Sequence, residues 1–287
     1  MKVCVACDAR FDAPDWSCPA CGFQPAGDGV PQFAPDLAHS KDLFEEEWFG
    51  DLAALEEESF WFHARNRLIG WAVRKYAPGA RSFLDVGTGT GFVLAGLGAR
   101  FPQLRLVGGD LLAGGLDVAQ ARLPGVELLQ IDARRVPYDA EFDVVGAFDV
   151  AEHIDEDELV FAQLAQATRP GGVVLVTVPQ HPWLWGPLDD FSHHRRRYTR
   201  AELDQKLRSA GLQVERLTSF VTALLPGMVA SRLLSRRHTT FEPDREYRAA
   251  RLIRAPLAAA MRVEETMIAL GVSFPVGGSL LAVARKR

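Results

Sequence analysis

Three alternating glycines, Gly87, Gly89 and Gly91, form the stretch of this sequence with the clearest capacity for ligand chemistry. Glycine adopts positive φ angles at low cost and lets backbone N–H groups approach a bound molecule closely. The glycines follow a short apolar segment, residues 83–86, in which Asp85 is the one charged residue, and a helix-like segment follows them. Strand, glycine turn and helix in this order are typical of nucleotide pockets in parallel α/β sheets.

Acidic residues stand where the next predicted strands end. Asp110 lies about twenty residues past the glycines, where a carboxylate can accept hydrogen bonds from both hydroxyls of a ribose. Asp132 and Ala133 follow the third strand, and Asp149 follows the fourth. A single acid could merely cap the next helix. Several such strand ends above one edge of a sheet favour a pocket instead.

Residues 85–91 resemble motif I of the class I S-adenosylmethionine-dependent methyltransferases. Dinucleotide-binding enzymes space their glycines as G-x-G-x-x-G, and a nicotinamide or flavin enzyme is the alternative. The resemblance covers about residues 58–211 and the last strand. It implies a doubly wound, seven-stranded, mostly parallel Rossmann-like sheet. Small-molecule, lipid- or sugar-directed members, including those of quinone biosynthesis, look most similar, because their fourth strand often ends in a pair like Glu152-His153.

The resemblance also implies a set of residues that bind the cofactor S-adenosylmethionine. In similar enzymes an aromatic–arginine segment before motif I covers the cofactor, so Arg65 is the expected partner of the methionine carboxylate, which a guanidinium can bind through two hydrogen bonds. The aromatic residues 60–62 could equally be core residues. The family usually places an acid like Asp132 beside the adenine amino group. The whole expected set is Arg65, Asp85, Gly87, Thr88, Gly89, Gly91, Asp110, Leu111, Asp132, Ala133 and Phe148.

Histidines near the strand ends are candidate catalytic residues. Methyl transfer mainly requires alignment of the nucleophile with the methyl group. An oxygen or nitrogen acceptor can also need a general base, for which imidazole has a suitable pKa. His153 with the adjacent Glu152 is the first candidate, and His181 and His193 are alternatives. His153 could equally orient the substrate or cap a helix.

Two further stretches point to the acceptor. Residues 191–198 are rich in cationic side chains, and the predicted substrate residues are His193, Arg195, Arg196 and Tyr198. The arginines would recognise an anionic group, or they form a solvated basic face. A helical insertion, residues 220–275, precedes the last strand, and its apolar part, 220–237, could cover the active site, form a dimer contact or lie on a membrane surface. A packed helical hairpin is the plain alternative. An amphiphilic acceptor would suit these features.

All four cysteines lie near the start of the chain, as Cys4-x-x-Cys7 and Cys18-x-x-Cys21. Two such turns facing each other complete a tetrahedral four-sulfur site that suits Zn²⁺, as in a zinc ribbon. Disulfide pairing is the alternative, which a cytosolic setting disfavours. The metal would be structural, because four thiolates leave no position open for substrate.

The composition limits the classes of partner. The 287 residues carry a net charge of −5, which argues against nucleic acid. No apolar run is long enough to span a bilayer, and the first residues lack the apolar region of a signal peptide, so we expect a cytoplasmic protein, with peripheral membrane contact as an option. An RNA- or protein-directed methyltransferase using the ribbon for recognition, and a non-catalytic cofactor-binding scaffold, are the alternative functions. The oligomeric state does not follow from the sequence.

The elements that must position these residues can also be predicted. We expect a zinc ribbon over residues 1–27, a linker and acidic helix over 28–58, and a methyltransferase domain over 59–287. A capping-box pattern at Thr199 and Glu202 predicts the start of a helix. The predicted strands of the sheet are residues 83–86, 104–109, 126–131, 142–148, 173–178, 212–220 and 279–285.

Overall fold

The computed structural model describes residues 1–27, 29–39, 48–235 and 254–287. In chain order its strands are β1 (Lys2–Val3), β2 (Arg10–Phe11), β3 (Ser82–Val86), β4 (Arg105–Asp110), β5 (Glu127–Gln130), β6 (Phe142–Phe148), β7 (Thr168–Pro179), β8 (Leu212–Phe220) and β9 (Ser279–Lys286). β1 and β2 pair with each other. The other seven form one sheet in the order β5-β4-β3-β6-β7-β9-β8, in which β9 is antiparallel to both neighbours. The predicted seven-stranded, mostly parallel sheet is confirmed.

The central strands are apolar because both of their faces are covered. All five residues of β3 are buried, and six of the seven residues of β6 are buried. The strand order reverses between β3 and β6, since β3 pairs with β4 on one side and with β6 on the other. A crevice forms at such a point beyond the carboxyl ends of the strands, which is where α/β sheets bind ligands.

Helices cover both faces of the sheet. They are α1 (Trp48–Glu58), α2 (Phe60–Tyr76), α3 (Phe92–Arg100), α4 (Ala113–Arg122), α5 (Asp157–Ala167), α6 (Pro187–Phe191), α7 (Arg200–Ser209), α8 (Leu225–Ser235) and α9 (Arg254–Ala269). Ile69 of α2 and Leu97 of α3 pack on one face, while Phe161 of α5 and Leu203 of α7 pack on the other. The cap predicted at the start of α7 is present, because the Thr199 hydroxyl accepts a hydrogen bond from the N–H of Glu202.

The insertion before the last strand adds helices to the α2 side of the sheet. Met261 and Ile268 of α9 join a buried cluster with Leu68 of α2. Arg67 and Glu265 connect the same two helices through two hydrogen bonds, of which the one from Nε to Oε2 is 2.7 Å long. Parts of the predicted acidic helix (40–47) and of the insertion (236–253) lie outside the described residues. None of the described helices is long and apolar enough to cross a membrane.

Candidate active site

A cleft of 760 Å³ lies at the carboxyl ends of the parallel strands. Its walls come from the segments that follow successive strands: residues 86–90 after β3, 110–112 after β4, 131–134 after β5, and 148–150 with 152–156 after β6. Helix α1, the start of α2 and the loop after α6 close its outer side. The predicted convergence of strand ends is therefore present in one cleft.

The glycine turn after β3 brings the backbone to the cleft surface. Gly87 has φ +78°, and a Cβ placed there would lie 2.3 Å from a methyl carbon of Val150. Gly89 has φ +51°, and a Cβ there would meet no atom of the described residues within 4 Å. The space beside Gly89 is therefore open to a ligand. At Gly87, by contrast, Val150 leaves no room for a side chain.

Asp110 ends β4 directly opposite this turn. Its carboxylate accepts hydrogen bonds from the N–H of Gly89 at 2.7 Å and from the N–H of Leu112 at 3.0 Å. Burial raises the pKa of Asp110, and the two amide donors oppose that shift. Because each carboxylate oxygen can accept more than one hydrogen bond, both oxygens can still receive the hydroxyls of a ribose.

Asp85 and Gly91 lie behind the turn and are not part of the described cleft surface. The Asp85 carboxylate accepts a hydrogen bond from the hydroxyl of Thr88 at 3.1 Å, and burial raises its pKa to about 7. Gly91 is the N-cap of α3, where a Cβ would lie 2.7 Å from Leu123 of the segment after α4. Both residues hold the shape of the turn from within the protein.

Arg65 of α2 reaches the cleft from the opposite wall. One guanidinium nitrogen lies 2.5 Å from Oδ2 of Asp149, which also accepts a hydrogen bond from the Thr177 hydroxyl. The guanidinium lies over the rings of Trp61 and Phe62, 4.9 and 5.2 Å from their centroids. Its buried Nε has no hydrogen-bond partner within the described part of the chain. This arrangement fits a carboxylate ligand, and the aromatic residues serve as the arginine's platform.

The remaining predicted cofactor residues also line the cleft. Leu111, Ala133 and Phe148 supply apolar surface, and Thr88 lies in the glycine turn. Asp132 follows β5 as predicted, but its carboxylate forms an ion pair with Arg134, with Nη2 and Oδ2 2.7 Å apart.

The candidate base residues occupy two different places. Glu152 and His153 form a 3₁₀ turn after β6 and line the cleft. Burial and the nearby His194 lower the pKa of His153 to about 3, so its imidazole is neutral and weakly basic at neutral pH. His181 lies outside the described cleft surface, with its ring 4.9 Å from that of Trp183.

Only one of the four predicted substrate residues, Arg195, lines the cleft. Arg196 points to the other side, where its Nη1 lies 3.0 Å from Oδ1 of Asp157. Tyr198 is fully buried there and donates its hydroxyl to the same carboxylate at 2.6 Å. Side chains alternate along extended backbone, so Arg195 and Arg197 face the cleft while Arg196 and Tyr198 face α5. This corrects the prediction that neighbouring arginines act together.

His193 also lies outside the described cleft surface, in a turn with φ +53°. Its neighbour His194 does line the cleft, and so does the buried Arg197. Sequence reasoning missed both of these as site residues, and it placed Asp149 at a strand end without assigning it a role. The cationic segment and the acid at the strand end were visible, but the direction of each side chain was not.

The four cysteine sulfurs form a compact cluster in the amino-terminal lobe. All four lie within 4.8 Å of one another, with Cys4 to Cys21 at 3.6 Å and Cys7 to Cys18 at 3.7 Å. Disulfide sulfurs would be about 2.05 Å apart, so these thiols are free. A tetrahedral zinc site with bonds of about 2.3 Å places its sulfurs about 3.8 Å apart. The cluster therefore has the dimensions of such a site.

The two halves of this cluster have the same backbone geometry. Asp8 donates its N–H to the carbonyl of Cys4, and Gly22 donates to that of Cys18, each at 2.9 Å. Asp8 has φ +59° and Gly22 φ +75°. The glycine that follows Cys21 is therefore matched in the first half by an aspartate, Asp8, in the same left-handed conformation.

Comparisons with known proteins agree with the fold that positions the cleft. Residues 84–176 match the protein family described as a methyltransferase domain. A Mycolicibacterium smegmatis protein named as a probable S-adenosylmethionine-dependent methyltransferase is 32% identical over 169 residues, which are 57% of this chain and 63% of that protein. Over residues 84–176 the chain is therefore similar to methyltransferases. Trans-aconitate 2-methyltransferase of Azoarcus sp. is 33% identical to this chain over 120 residues, which are 42% of this chain and 45% of that enzyme.

The chain thus spans less than two thirds of the length of these relatives. Among solved structures, the complex between the Haloferax volcanii Trm112 methyltransferase activator and a methyltransferase contains a similar chain. Its TM-score is 0.55 at 18% identity, covering 84% of this chain and 96% of that one. At this identity the similarity concerns the fold alone.

Proposed function

We propose that this protein transfers a methyl group from S-adenosylmethionine to a small-molecule or amphiphilic acceptor that carries an anionic group. The observation that carries the proposal is the pairing of the Gly89 N–H with the Asp110 carboxylate, at 2.7 Å, at the point where the strand order reverses. Arg65 stands across the same cleft, and its buried Nε–H has no hydrogen-bond partner among the described residues. These groups fit a nucleoside that also bears an amino-acid carboxylate.

Each part of the cofactor has a matching group in the cleft. Asp110 would accept hydrogen bonds from the ribose hydroxyls. Arg65 would bind the methionine carboxylate, either in place of Asp149 or while it keeps its hydrogen bond to Asp149. Asp132 would face the adenine amino group, between the apolar surfaces of Leu111, Ala133 and Phe148. The bound cofactor supplies an electrophilic methyl group, while the protein aligns it and excludes water.

The acceptor side of the cleft combines a cation with apolar surface. Arg195 lines it with half of its side chain exposed, and its Nε lies 3.8 Å from Oδ2 of Asp155. Arg197 is less available, because its Nε donates to the buried Asp189 at 2.7 Å. Apolar surface comes from Trp48, Phe49, Leu52, Leu55, Leu224 and Met228. An anionic head bound by Arg195 with an apolar body against α1 and α8 fits this surface, and one relative is named for the carboxylate trans-aconitate.

The four cysteines support a second part of the proposal, a structural zinc ion held by Cys4, Cys7, Cys18 and Cys21. Their spacing and the paired turns suit the metal. Location in the cytoplasm, peripheral membrane contact through residues 220–237 and the domain boundaries of the ribbon remain predictions.

Calorimetry with S-adenosylmethionine and with NAD tests the cofactor assignment. We expect the first to bind and the second not to. Asp110→Ala should weaken cofactor binding by about 1–3 kcal/mol, the usual cost of leaving buried polar partners unpaired. Asp117→Ala, which removes an exposed acid from α4, is the control and should bind normally. Binding of NAD alone would contradict the assignment.

A methyl-transfer assay then separates an enzyme from a non-catalytic scaffold. A panel of carboxylate- and phosphate-bearing acceptors, with RNA and protein as further candidates, should show consumption of the cofactor with an anionic small molecule. A scaffold would bind the cofactor and consume it with none of them.

A further inference from the structure

Three side chains on one wall of the cleft bring together atoms that can bind a metal ion. They belong to Glu152, His153 and His194, and one ligating atom of each lies within 4.8 Å of the others. Glu152 and His153 come from the turn after β6, whereas His194 comes from the loop after α6. The N–H of Arg195 donates to the carbonyl oxygen of Glu152 at 2.7 Å, which fixes the two segments against each other.

Within this cluster, Glu152 is the buried carboxylate whose oxygens are unpartnered in the described part of the chain. Its side chain is 0% exposed, and neither carboxylate oxygen has a hydrogen-bond partner among the residues that the structure describes. The nearby guanidinium groups of Arg65 and Arg197 are already bound to other carboxylates. Burying an ionised carboxylate is costly unless it is paired or binds a metal. A cation inside the cluster would therefore be its partner.

His194 is oriented as a metal-binding histidine usually is. Its Nδ1 lies 2.8 Å from Oδ1 of Asp189, a residue that is 0% exposed. Asp189 is itself held by Nε of Arg197 at 2.7 Å and by the N–H of Gly186 at 2.8 Å. Metal-bound histidines commonly donate one ring N–H to a carboxylate in this way, which leaves the other nitrogen for the metal.

We propose that Glu152, His153 and His194 bind a divalent first-row transition cation such as Zn²⁺. Two imidazoles and one carboxylate suit such ions, whereas Mg²⁺ and Ca²⁺ prefer oxygen ligands throughout. Bonds of about 2.1 Å in a tetrahedron place the ligand atoms about 3.4 Å apart, so the longest edge, at most 4.8 Å, contracts by no more than about 1.5 Å.

The cation would leave coordination positions open, because the described part of the chain supplies three ligands. These positions border the same cleft as Arg195. The next step rests on the proposed function: the cation holds an oxygen atom of the acceptor beside Arg195 and lowers the pKa of an acceptor hydroxyl. Alignment of the acceptor oxygen would then depend on the metal as well as on the arginine.

Titration of the full, metal-free chain with Co²⁺ tests the site directly, because Co²⁺ reports its own ligands. Cobalt bound by thiolates absorbs strongly through sulfur-to-metal charge transfer, whereas cobalt bound by imidazole and carboxylate lacks that band. We expect two equivalents of Co²⁺ per chain, one with the charge-transfer band and one without it. Glu152→Gln, which keeps the size of the side chain, and His194→Ala should each weaken the second equivalent at least about tenfold and retain the first.

His193→Asn is the matched control, because it removes an imidazole from the adjacent position, where asparagine tolerates the left-handed backbone. It should bind both equivalents. Thermal unfolding of Glu152→Gln with and without Zn²⁺ separates lost binding from lost folding: the variant should be folded but gain less stability from added metal than the native chain.

The proposal is overturned if the native chain binds Co²⁺ only through thiolates. It is also overturned if Glu152→Gln and His194→Ala still bind two equivalents of Co²⁺ as tightly as the native chain. Calorimetry with S-adenosylmethionine on the same preparations keeps the two proposals apart. Cofactor binding without the second metal equivalent removes the metal site alone. A second equivalent without cofactor binding removes the proposed function and leaves the metal site standing.

Discussion

Asp85 shows how a single buried carboxyl group ties the glycine turn to the stability of the whole chain. It is 1% exposed, and burial raises its pKa from 3.8 to about 7. In the unfolded chain the same group ionises near pH 4. Because the folded state retains a proton that the unfolded state has released, raising the pH from about 4 to about 7 lowers the free energy of unfolding. Above pH 7 this contribution no longer changes.

Asp85→Asn should remove that part of the pH dependence. An amide matches the protonated carboxyl in size and does not titrate, so we expect the free energy of unfolding of the ligand-free variant to fall less between pH 4 and 7. The difference for a shift of this size is on the order of 4 kcal/mol. Urea denaturation across that pH range measures it, with Asp117→Asn on the exposed face of α4 as the control. Equal slopes in Asp85→Asn and the native chain would contradict the assignment.

Arg195 and Arg196 differ at the same scale, although they are adjacent in sequence. Arg195 lines the cleft, and Arg196 binds Asp157 behind it. Arg195→Ala should therefore raise KM for an anionic acceptor by about tenfold to a hundredfold, the loss of one charge-assisted contact. Cofactor affinity should stay the same. Steady-state kinetics provide the test, with Arg196→Ala as the matched control. Equal effects of both changes on KM would refute the assignment of Arg195, and not Arg196, to the cleft.

Much of the fold at the level of strands and helices could be predicted from local sequence. β8 begins and ends where its apolar pattern does, and β6 likewise. β7 instead begins at Thr168, which pairs with Phe142 of β6, and Pro170 and the two glycines after it lie in an irregularity before the pairing resumes at Val173. The packing of the added helices on distant parts of the chain was not predictable. The docking of α9 on α2 depends on Arg67 and Glu265, which stand 198 positions apart.

The same limit applies to the active site. Gly87, Gly89 and Asp110 were found because their spacing is local and the backbone fixes their geometry. The direction of Tyr198 depends on packing against α5, and the approach of His194 to His153 depends on two separate loops. No pattern within either segment encodes such contacts.

The whole molecule joins two sites that share little physical coupling. The amino-terminal lobe attaches near β5 and β6, where Val3 donates its N–H to the carbonyl of Pro137 at 3.0 Å and Trp16 packs edge-on against Tyr138. Asp8 of the cysteine cluster reaches Arg135, next to the cleft residue Arg134, through an ion pair of 3.1 Å. Both partners of that pair are exposed, and exposed ion pairs contribute little. Changes in the lobe should therefore reach the cleft weakly.

Loss of the cysteine cluster should accordingly separate metal content and stability from cofactor binding. In Cys7→Ser with Cys21→Ser, we expect one zinc ion per chain fewer than in the native protein by elemental analysis, because two of four thiolates are gone. The lobe should become sensitive to protease, while the affinity for S-adenosylmethionine changes less than about twofold, since none of the four cysteines is part of the described cleft surface.

Asp8→Gly is the control: it keeps all four ligands and relieves a left-handed backbone, so it should retain the zinc and be at least as stable. Unchanged zinc content in the double variant would show that the cysteines do not bind the zinc ion. A parallel loss of cofactor affinity would instead show that the exposed contact between Asp8 and Arg135 transmits more than its position allows.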